Sequence, residues 1–249
     1  FYLLMAAAVD LHPLARRNVP VLAGVSALLA GILIVGMSLS LLRAYNDPAY
    51  SKTRGWRDLA AAITRLSAGL PPERVRVAQN FPDPTLWYYY RGPVDHLVLP
   101  PQANDATGAR STAQALAGQG IQRVILPVQP AANWDGSGLA TMALDGWFDR
   151  AAQLQEAVWP VQIYAHPASA LTPVSAEFEG GVALQGYVAA PDTLAPGGMI
   201  TVHLNWTSTP DTNAADTTGA AGERKVFVQL LDASGQLVAQ DDRPLVLSA

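Results

Sequence analysis

Residues 74–100, RVRVAQNFPDPTLWYYYRGPVDHLVLP, determine the fold of the central part of this 249-residue chain. The segment opens with a short run rich in β-favouring residues, RVRVAQ, and closes with another, DHLVLP. Between them, Asp83 is suited to capping a helix and Pro84 fits the first helical position, where its missing N–H costs nothing. Gly92-Pro93 prevents the helix from continuing. The pattern predicts strand, helix and strand, with the helix limited to two turns over Thr85–Arg91.

Helix-like and strand-like stretches alternate on both sides of this segment, throughout residues 53–168. Helical spacing is found in RGWRDLAAAITRLSAGLPP, in STAQALAGQG and in LATMALDGWFDRAAQLQEA, whereas IQRVILPV and VWPVQIYAHP are typical of strands. Such alternation implies right-handed crossovers and a mainly parallel sheet. We therefore expect a small three-layer, Rossmann-like α/β domain. Neither a G-x-G-x-x-G nor a G-x-x-x-x-G-K motif accompanies it, so a nucleotide site is not expected.

Four consecutive aromatic residues, Trp87, Tyr88, Tyr89 and Tyr90, occupy the short predicted helix. Successive residues on a helix are about 100° apart, so the four side chains cannot all face one core. We expect at least one of them to be substantially exposed. The outward rings are either ordinary surface tyrosines, a docking or membrane-facing surface, or a direct contact for sugar or lipid.

An uncharged stretch of 24 residues, Val19–Leu42, lies near the N-terminus. At about 1.5 Å per residue it is long enough to cross a hydrocarbon layer roughly 30 Å thick. A buried globular helix of this length would rarely lack a polar face. A signal peptide would have a shorter apolar core and a small-residue cleavage site. The stretch therefore predicts a transmembrane helix.

The residues before this helix complete the predicted topology. Residues 1–9 have the composition of the end of a preceding transmembrane helix, and 10–18 form a short loop containing Arg16 and Arg17. Basic residues in short loops favour the cytoplasmic side. The basic residues after Leu42 favour the opposite orientation, but long domains translocate largely regardless of charge. We expect a multi-pass membrane protein with extracytoplasmic soluble domains and, because Phe1 is not an initiator Met, a piece of a longer polypeptide.

Residues 174–249 have an all-β pattern. Five short runs, SAEFEG, VALQGYVA, MITVHLNW, KVFVQLLD and QLVAQDD, are separated by turn-forming residues and by one long polar, low-complexity segment. They predict part of an antiparallel β-sandwich. Trp206 is a candidate glycan-binding side chain if its ring is exposed on that module.

Composition limits the chemistry that the chain can perform. The net charge is −4, only 14% of the residues are charged, and no basic stripe is present, so nucleic-acid binding is not expected. Because cysteine is absent, disulfides and thiolate metal sites are excluded. The four histidines lack metal-ligand spacing, and no hydrolase motif occurs. We predict no catalytic residue, metal ligand or cofactor in these residues.

The segments NFPDPTLWYYYRGPVDHLVLPP, GIQRVILPVQPAANWD and VWPVQIYAHP resemble the C-terminal region of GT-C superfamily membrane glycosyltransferases. They are most similar to the bacterial branch related to dolichyl-phosphate-mannose protein mannosyltransferases. The stretch FEGGVALQGYVAAPDTLAPGGMITVHLNW resembles a β-sandwich module appended to such proteins. The resemblance covers most of the chain through short signatures rather than through a catalytic motif.

The resemblance implies a function and a division of labour. In that family, a polytopic membrane domain transfers a sugar from a polyprenyl-phosphate donor to an acceptor outside the membrane. Its catalytic acidic residue lies in the first extracytoplasmic loop, to which no position here corresponds. The chain would then be a non-catalytic part that caps the membrane domain, with the lipid bilayer and, through that domain, the lipid-linked sugar as partners. The alternative is a membrane-anchored glycan-binding or structural module without enzymatic activity.

Overall fold

The structure, a computed structural model, describes residues 20–46, 55–178, 181–194, 196–208 and 225–245. The chain divides into two compact units between His166 and Pro167. The first unit contains an N-terminal helix and an α/β domain, and the second contains only strands. The predicted end of a helix over 1–9 and the predicted loop over 10–18 lie outside the described residues.

Helix α1 runs from Pro20 to Asn46 and is apolar around its whole circumference. The helix contains the predicted apolar stretch Val19–Leu42 except for Val19, and it continues four residues past Leu42, to Asn46. The side-chain amide of Asn46 donates to the Leu42 carbonyl (2.9 Å). In Ala27–Asn46 the mean hydropathy is 2.0 and none of the hydrophobic window is buried. Within the part of the chain that the structure describes, it is the one helix long and apolar enough to cross a membrane.

The α/β domain follows with helices and strands in alternation. In chain order these are α2 (Trp56–Ser67), a 3-10 turn (Pro72–Arg74), β1 (Val75–Gln79), α3 (Thr85–Tyr89), β2 (His96–Val98), α4 (Ala106–Gly118), β3 (Arg123–Pro127), α5 (Ala132–Asp135), α6 (Leu139–Asp145), β4 (Asp149–Glu156) and β5 (Trp159–Ala165). They form one five-stranded sheet in the order β2-β1-β3-β5-β4. The expected α/β content is therefore confirmed.

The sheet is mixed rather than mainly parallel. Strands β2, β1 and β3 are parallel neighbours, but β5 pairs antiparallel with both β3 and β4. The helix predicted in LATMALDGWFDRAAQLQEA ends at Asp145, and DRAAQLQE forms β4. Gly146 lies at the end of α6, and the hairpin pairing of β4 with β5 overrides the helical propensity of its Ala, Gln and Leu residues. A bulge between Arg150 and Ala152 interrupts that pairing.

Apolar side chains from alternate strand positions enter two separate groups of contacts, as expected for neighbours on opposite faces of a sheet. Helices α4 and α6 pack together over a cluster that includes Ala78, Val124, Leu126 and Tyr164. Helix α2 contacts β3 and β4, and its buried apolar residues are Trp56, Leu59, Ala62, Ile63 and Leu66. These contacts hold the loops at the strand ends in fixed positions.

Two buried contacts join α2 to the sheet. Arg123, the first residue of β3, is 1% exposed and its guanidinium donates to the Leu66 carbonyl at 2.5 Å. Burial lowers the pKa of Arg123 to about 10. At the other end of α2, the ring of Trp56 packs against that of Trp159, the first residue of β5, with centroids 4.2 Å apart.

The C-terminal unit contains two antiparallel sheets. Strands β6 (Thr172–Phe178), β7 (Val182–Ala190) and β8 (Thr201–Ser208) form one in sequence order, and β9 (Lys225–Leu231) pairs with β10 (Leu237–Pro244) in the other. The five predicted antiparallel strands are confirmed. The described residues show two separate sheets and not a closed sandwich.

Candidate functional site

The aromatic segment forms a short helix, as predicted. Pro84, and not Asp83 as predicted, occupies the N-cap position of the helix, but the Asp83 carboxylate accepts a hydrogen bond from the Thr85 backbone N–H (2.9 Å) and so satisfies one free N–H of the first turn. Pro84 lies just before the first helical residue rather than within the helix, with φ −69°. Helix α3 has five residues and ends where Tyr90 turns extended, with its N–H still bonded to the Leu86 carbonyl (2.8 Å).

The four aromatic side chains divide between the core and the surface. Tyr90 is 7% exposed, and Tyr89 is half-buried. Trp87 is 42% exposed and Tyr88 is 68% exposed. The prediction that at least one of the four would be substantially exposed is confirmed. A helix this short has one inward stripe, and Leu86 and Tyr90, four residues apart, occupy it.

Tyr90 fastens the end of α3 to the domain. Its hydroxyl accepts a hydrogen bond from the Val94 backbone N–H (3.2 Å). Burial raises the pKa of the Tyr90 phenol, and the bonds with Val94 and Ser67 partly offset that rise. A side chain at Gly92 would collide with the Tyr90 ring, so the chain needs glycine at this position. The Gly92-Pro93 pair therefore does more than stop the helix.

Trp87 is held by two residues to which the sequence assigned no site role. In the orientation that satisfies its amide, the buried Gln79 side chain accepts from the Trp87 indole N–H (2.6 Å) and donates to the Asp83 carbonyl (3.1 Å). The indole also packs against the His96 ring, with centroids 4.5 Å apart. Parallel pairing of Val77 with His96 and of Gln79 with Val98 brings both partners under α3. The sequence alone does not reveal this register, so it could not identify Gln79 and His96 as the partners of Trp87.

Acidification is expected to destabilise the folded domain through His96. Burial lowers the pKa of His96, and the neighbouring Asp95 carboxylate partly opposes the effect. As pH falls through the unfolded value of about 6.5, the unfolded chain takes up the proton first, so folding loses stability until the folded His96 is also protonated. Urea unfolding at pH 8 and pH 5 should show a small loss that is reduced in His96→Gln. An equal loss in both proteins would contradict the assignment.

The outward side chains form one continuous surface, here called the aromatic surface: Trp87, Tyr88, Tyr89 and Arg91. The Tyr88 and Tyr89 rings meet edge to face at 5.1 Å, and the Arg91 guanidinium carbon lies 5.8 Å from the Tyr88 ring centre. Rings with one dry and one wet side suit contact with apolar or amphipathic partners. The surface offers binding contacts rather than a proton-transfer pair.

The carboxyl ends of β1 and β3, where open α/β sheets usually bind ligands, are joined by side-chain bonds. The Asn80 amide donates to the Gln129 carbonyl (2.9 Å) and accepts from the Gln129 N–H (2.8 Å). Loops 80–84, 99–105 and 128–138 and the turn 156–159 lie at this end of the sheet, which we call the carboxyl edge. The Asn80 side chain thus occupies the gap between the two strands.

Several acidic residues elsewhere have structural partners. Asp145 and Asp149 lie in the stretch LATMALDGWFDRAAQLQEA, which was predicted to be helical, but Asp145 ends α6 and Asp149 begins β4. Asp145 instead binds the Arg150 guanidinium with both oxygens (2.9 and 2.7 Å). In the C-terminal unit Asp241 pairs with Arg243 (2.8 Å). No group of three or more His, Asp or Glu side chains in the described ranges could hold a metal ion.

Trp206 lies on β8, opposite Leu184 of β7. Its ring is half-buried and packs against Phe178, with centroids 5.4 Å apart and an interplanar angle of 60°. Phe178 itself is 51% exposed. The two candidate sites, the aromatic surface and Trp206, therefore belong to different compact units.

Comparison of the chain with protein-family models, with curated proteins and with solved structures found no match.

Proposed function

We propose that this chain is the non-catalytic C-terminal part of an integral-membrane glycosyltransferase, which transfers a sugar from a polyprenyl-phosphate donor to an extracytoplasmic acceptor. The proposal is supported by the position of the three segments that resemble GT-C glycosyltransferases, which meet at the carboxyl edge of the sheet. NFPDPTLWYYYRGPVDHLVLPP, GIQRVILPVQPAANWD and VWPVQIYAHP are far apart in sequence, yet each contributes to the carboxyl edge. Binding residues are found disproportionately on loops that a rigid scaffold holds in position, so the meeting of these three segments at one end of the sheet favours a contact surface there.

The finer architecture forms part of the same proposal. The mixed sheet with α2 on one side and the α4–α6 pair on the other would be a three-layer, Rossmann-like domain with a modified last hairpin. The two C-terminal sheets would belong to a β-sandwich module. Helix α1 would be one of several transmembrane helices, with both soluble units on the extracytoplasmic side.

Within such an enzyme the α/β domain would support the catalytic membrane domain. The described residues contribute aromatic contacts, and acidic side chains such as those of Asp83 and Asp145 are engaged in local hydrogen bonds and ion pairs. Tyr88 is the most exposed ring of the aromatic surface, at 68%, and its ring contacts Tyr89 and Arg91 beside it. It is the residue most available to a neighbouring membrane domain or to the acceptor.

Replacing Tyr88 by alanine in the complete protein that carries this chain should lower sugar transfer without unfolding the domain. We expect a loss of about three- to tenfold, as for an exposed aromatic contact worth roughly 1 kcal/mol. The assay uses proteoliposomes containing a polyprenyl-phosphate-linked sugar. Met142→Ala is the matched control, because Met142 is 66% exposed on α6. No transfer by the unsubstituted protein with any such donor would refute the proposed function.

A further inference from the structure

We propose that the carboxyl edge of the α/β sheet lies against the surface of the bilayer that holds α1. The proposal rests on the proposed function in one respect, that α1 spans a membrane. It adds an orientation of the domain and a lipid-contacting set of side chains, which the aromatic surface of α3 alone does not give.

The chain enters the α/β domain beside the turn between β4 and β5. A side-chain carbon at Gly55, immediately before α2, would lie 3.2 Å from Val158 and 3.4 Å from the Trp159 indole nitrogen. Val158 belongs to the turn between β4 and β5. Since Val161 of β5 pairs with Pro127 at the end of β3, that turn is at the carboxyl edge. The chain coming from α1 therefore reaches the domain at this edge.

The connection between α1 and the α/β domain is short. Eight residues, 47–54, separate Asn46 from Gly55. Even fully extended, such a connection spans only about 30 Å. Helix α1, with 27 residues, is about 40 Å long, so its last turn extends beyond a hydrocarbon layer of roughly 30 Å. That turn carries Arg43 and Tyr45, residue types favoured at the membrane–water interface. The carboxyl edge is thereby kept close to the lipid headgroups.

The carboxyl edge exposes aromatic and aliphatic side chains. Phe81 is 37% exposed and Val158 is 38% exposed. Phe81 packs edge to face on Trp134, with ring centroids 6.3 Å apart, and prolines fill much of the remaining loop surface. Aromatic rings with a polar rim are the side chains that membrane interfaces favour.

The acidic side chains of the carboxyl edge form hydrogen bonds or an ion pair with nearby residues. Three of them accept from backbone N–H groups, and the fourth pairs with an arginine: Asp83 with Thr85, Asp105 with Gly108, Asp135 with Ala140, and Glu156 with Arg65. Loops 80–84, 99–105 and 128–138 and the turn 156–159 contain no Lys or Arg. At the start of α2, the exposed Arg57 and Asp58 balance each other in charge. The edge can approach a lipid surface with little desolvation of charge.

The loops of the edge are also fixed to one another, so they form a preorganised surface. The Trp134 indole donates to the Pro100 carbonyl (2.9 Å), and the Asn104 N–H donates to the Trp134 carbonyl (2.7 Å). The opposite edge of the sheet carries two ion pairs, Arg76–Asp95 and Arg150–Asp145, whereas the carboxyl edge carries one, Glu156–Arg65. The exposed aromatic residue of the opposite edge, Trp147, is 41% exposed and so matches Phe81 in accessibility.

Because the chain contains no cysteine, single cysteines can report each position in the full chain. Phe81→Cys and Val158→Cys probe the carboxyl edge, Trp147→Cys probes the opposite edge, and Ile32→Cys probes the middle of α1. Each variant is labelled with an environment-sensitive fluorophore and reconstituted in phosphatidylcholine vesicles. Quenching is compared among a nitroxide lipid labelled near the headgroup, a nitroxide lipid labelled deep in the acyl chain, which reports on position 32, and aqueous iodide. Circular dichroism confirms that each variant is folded.

We expect the labels at 81 and 158 to lose most of their fluorescence to the nitroxide lipid, whereas the label at 147 responds to iodide only. Equal behaviour of the labels at 81 and 147, with the label at 32 quenched by lipid, would overturn the orientation and leave the membrane anchor intact. Labels at 81 and 158 shielded from both quenchers would place a protein rather than lipid at this edge and would also overturn the proposal. A label at 32 that iodide quenches would show that α1 does not span, and the proposed function would fail with it.

Discussion

Trp159→Ala is expected to destabilise the α/β domain by about 3–5 kcal/mol, the usual cost of truncating a buried tryptophan. Trp159 is 8% exposed and its ring packs on Trp56, so the substitution removes apolar contacts and an aromatic pair together. The same pair joins the start of α2 to the turn between β4 and β5, and its loss should loosen both. Urea unfolding of the full chain in detergent micelles, followed by circular dichroism, measures the change.

Trp147→Ala is the control for this prediction. Trp147 is 41% exposed at the other end of the sheet, so its replacement removes less buried apolar area and should lower the free energy of unfolding clearly less than that of Trp159. Equal effects of the two substitutions would contradict the assignment of Trp159 to the core.

Arg123→Ala should have the second-largest effect, a loss of about 2–4 kcal/mol, because it opens a cavity and leaves the Leu66 carbonyl without its buried donor. The side chain is 1% exposed, so water cannot replace the missing hydrogen bond without rearrangement. The same unfolding experiment measures the loss.

Arg123→Met separates volume from charge. Methionine restores much of the packed volume, and it removes a guanidinium whose pKa burial lowers to about 10. We therefore expect a smaller loss than with alanine. A methionine variant less stable than the alanine variant would contradict this expectation, because both variants lack the bond to Leu66 and differ in the volume that they fill.

Local chemistry was sufficient to predict α3. Asp83, Pro84 and the Gly92-Pro93 pair act within a few residues of the helix they delimit, so their effect can be inferred without knowing the rest of the fold. The division of the aromatic tetrad follows from helix geometry alone. The apolar helix was equally accessible, because length and hydropathy define it and no tertiary contact is needed.

Strand β4 and the partners of Trp87 were not predicted, because both depend on how the strands pair in the fold. In AAQLQEA the residues individually favour helix, and only the hairpin with β5 makes them a strand. The partners of Trp87 were missed for a related reason. Gln79 and His96 reach the indole through the parallel register of β1 with β2, and no motif records that register. The assembly of the carboxyl edge from three distant segments depends on the same strand order.

The two outermost strands of the sheet determine how copies of the domain behave when they are concentrated. Exposed strand edges are templates for pairing between molecules and for aggregation. On one side the sheet ends in β2, only three residues long. On the other it ends in β4, where a bulge and the charged Asp149, Arg150 and Glu156 disturb a regular ladder. Both borders thus disfavour strand addition, and crowded copies can diffuse past one another without joining into a continuous sheet.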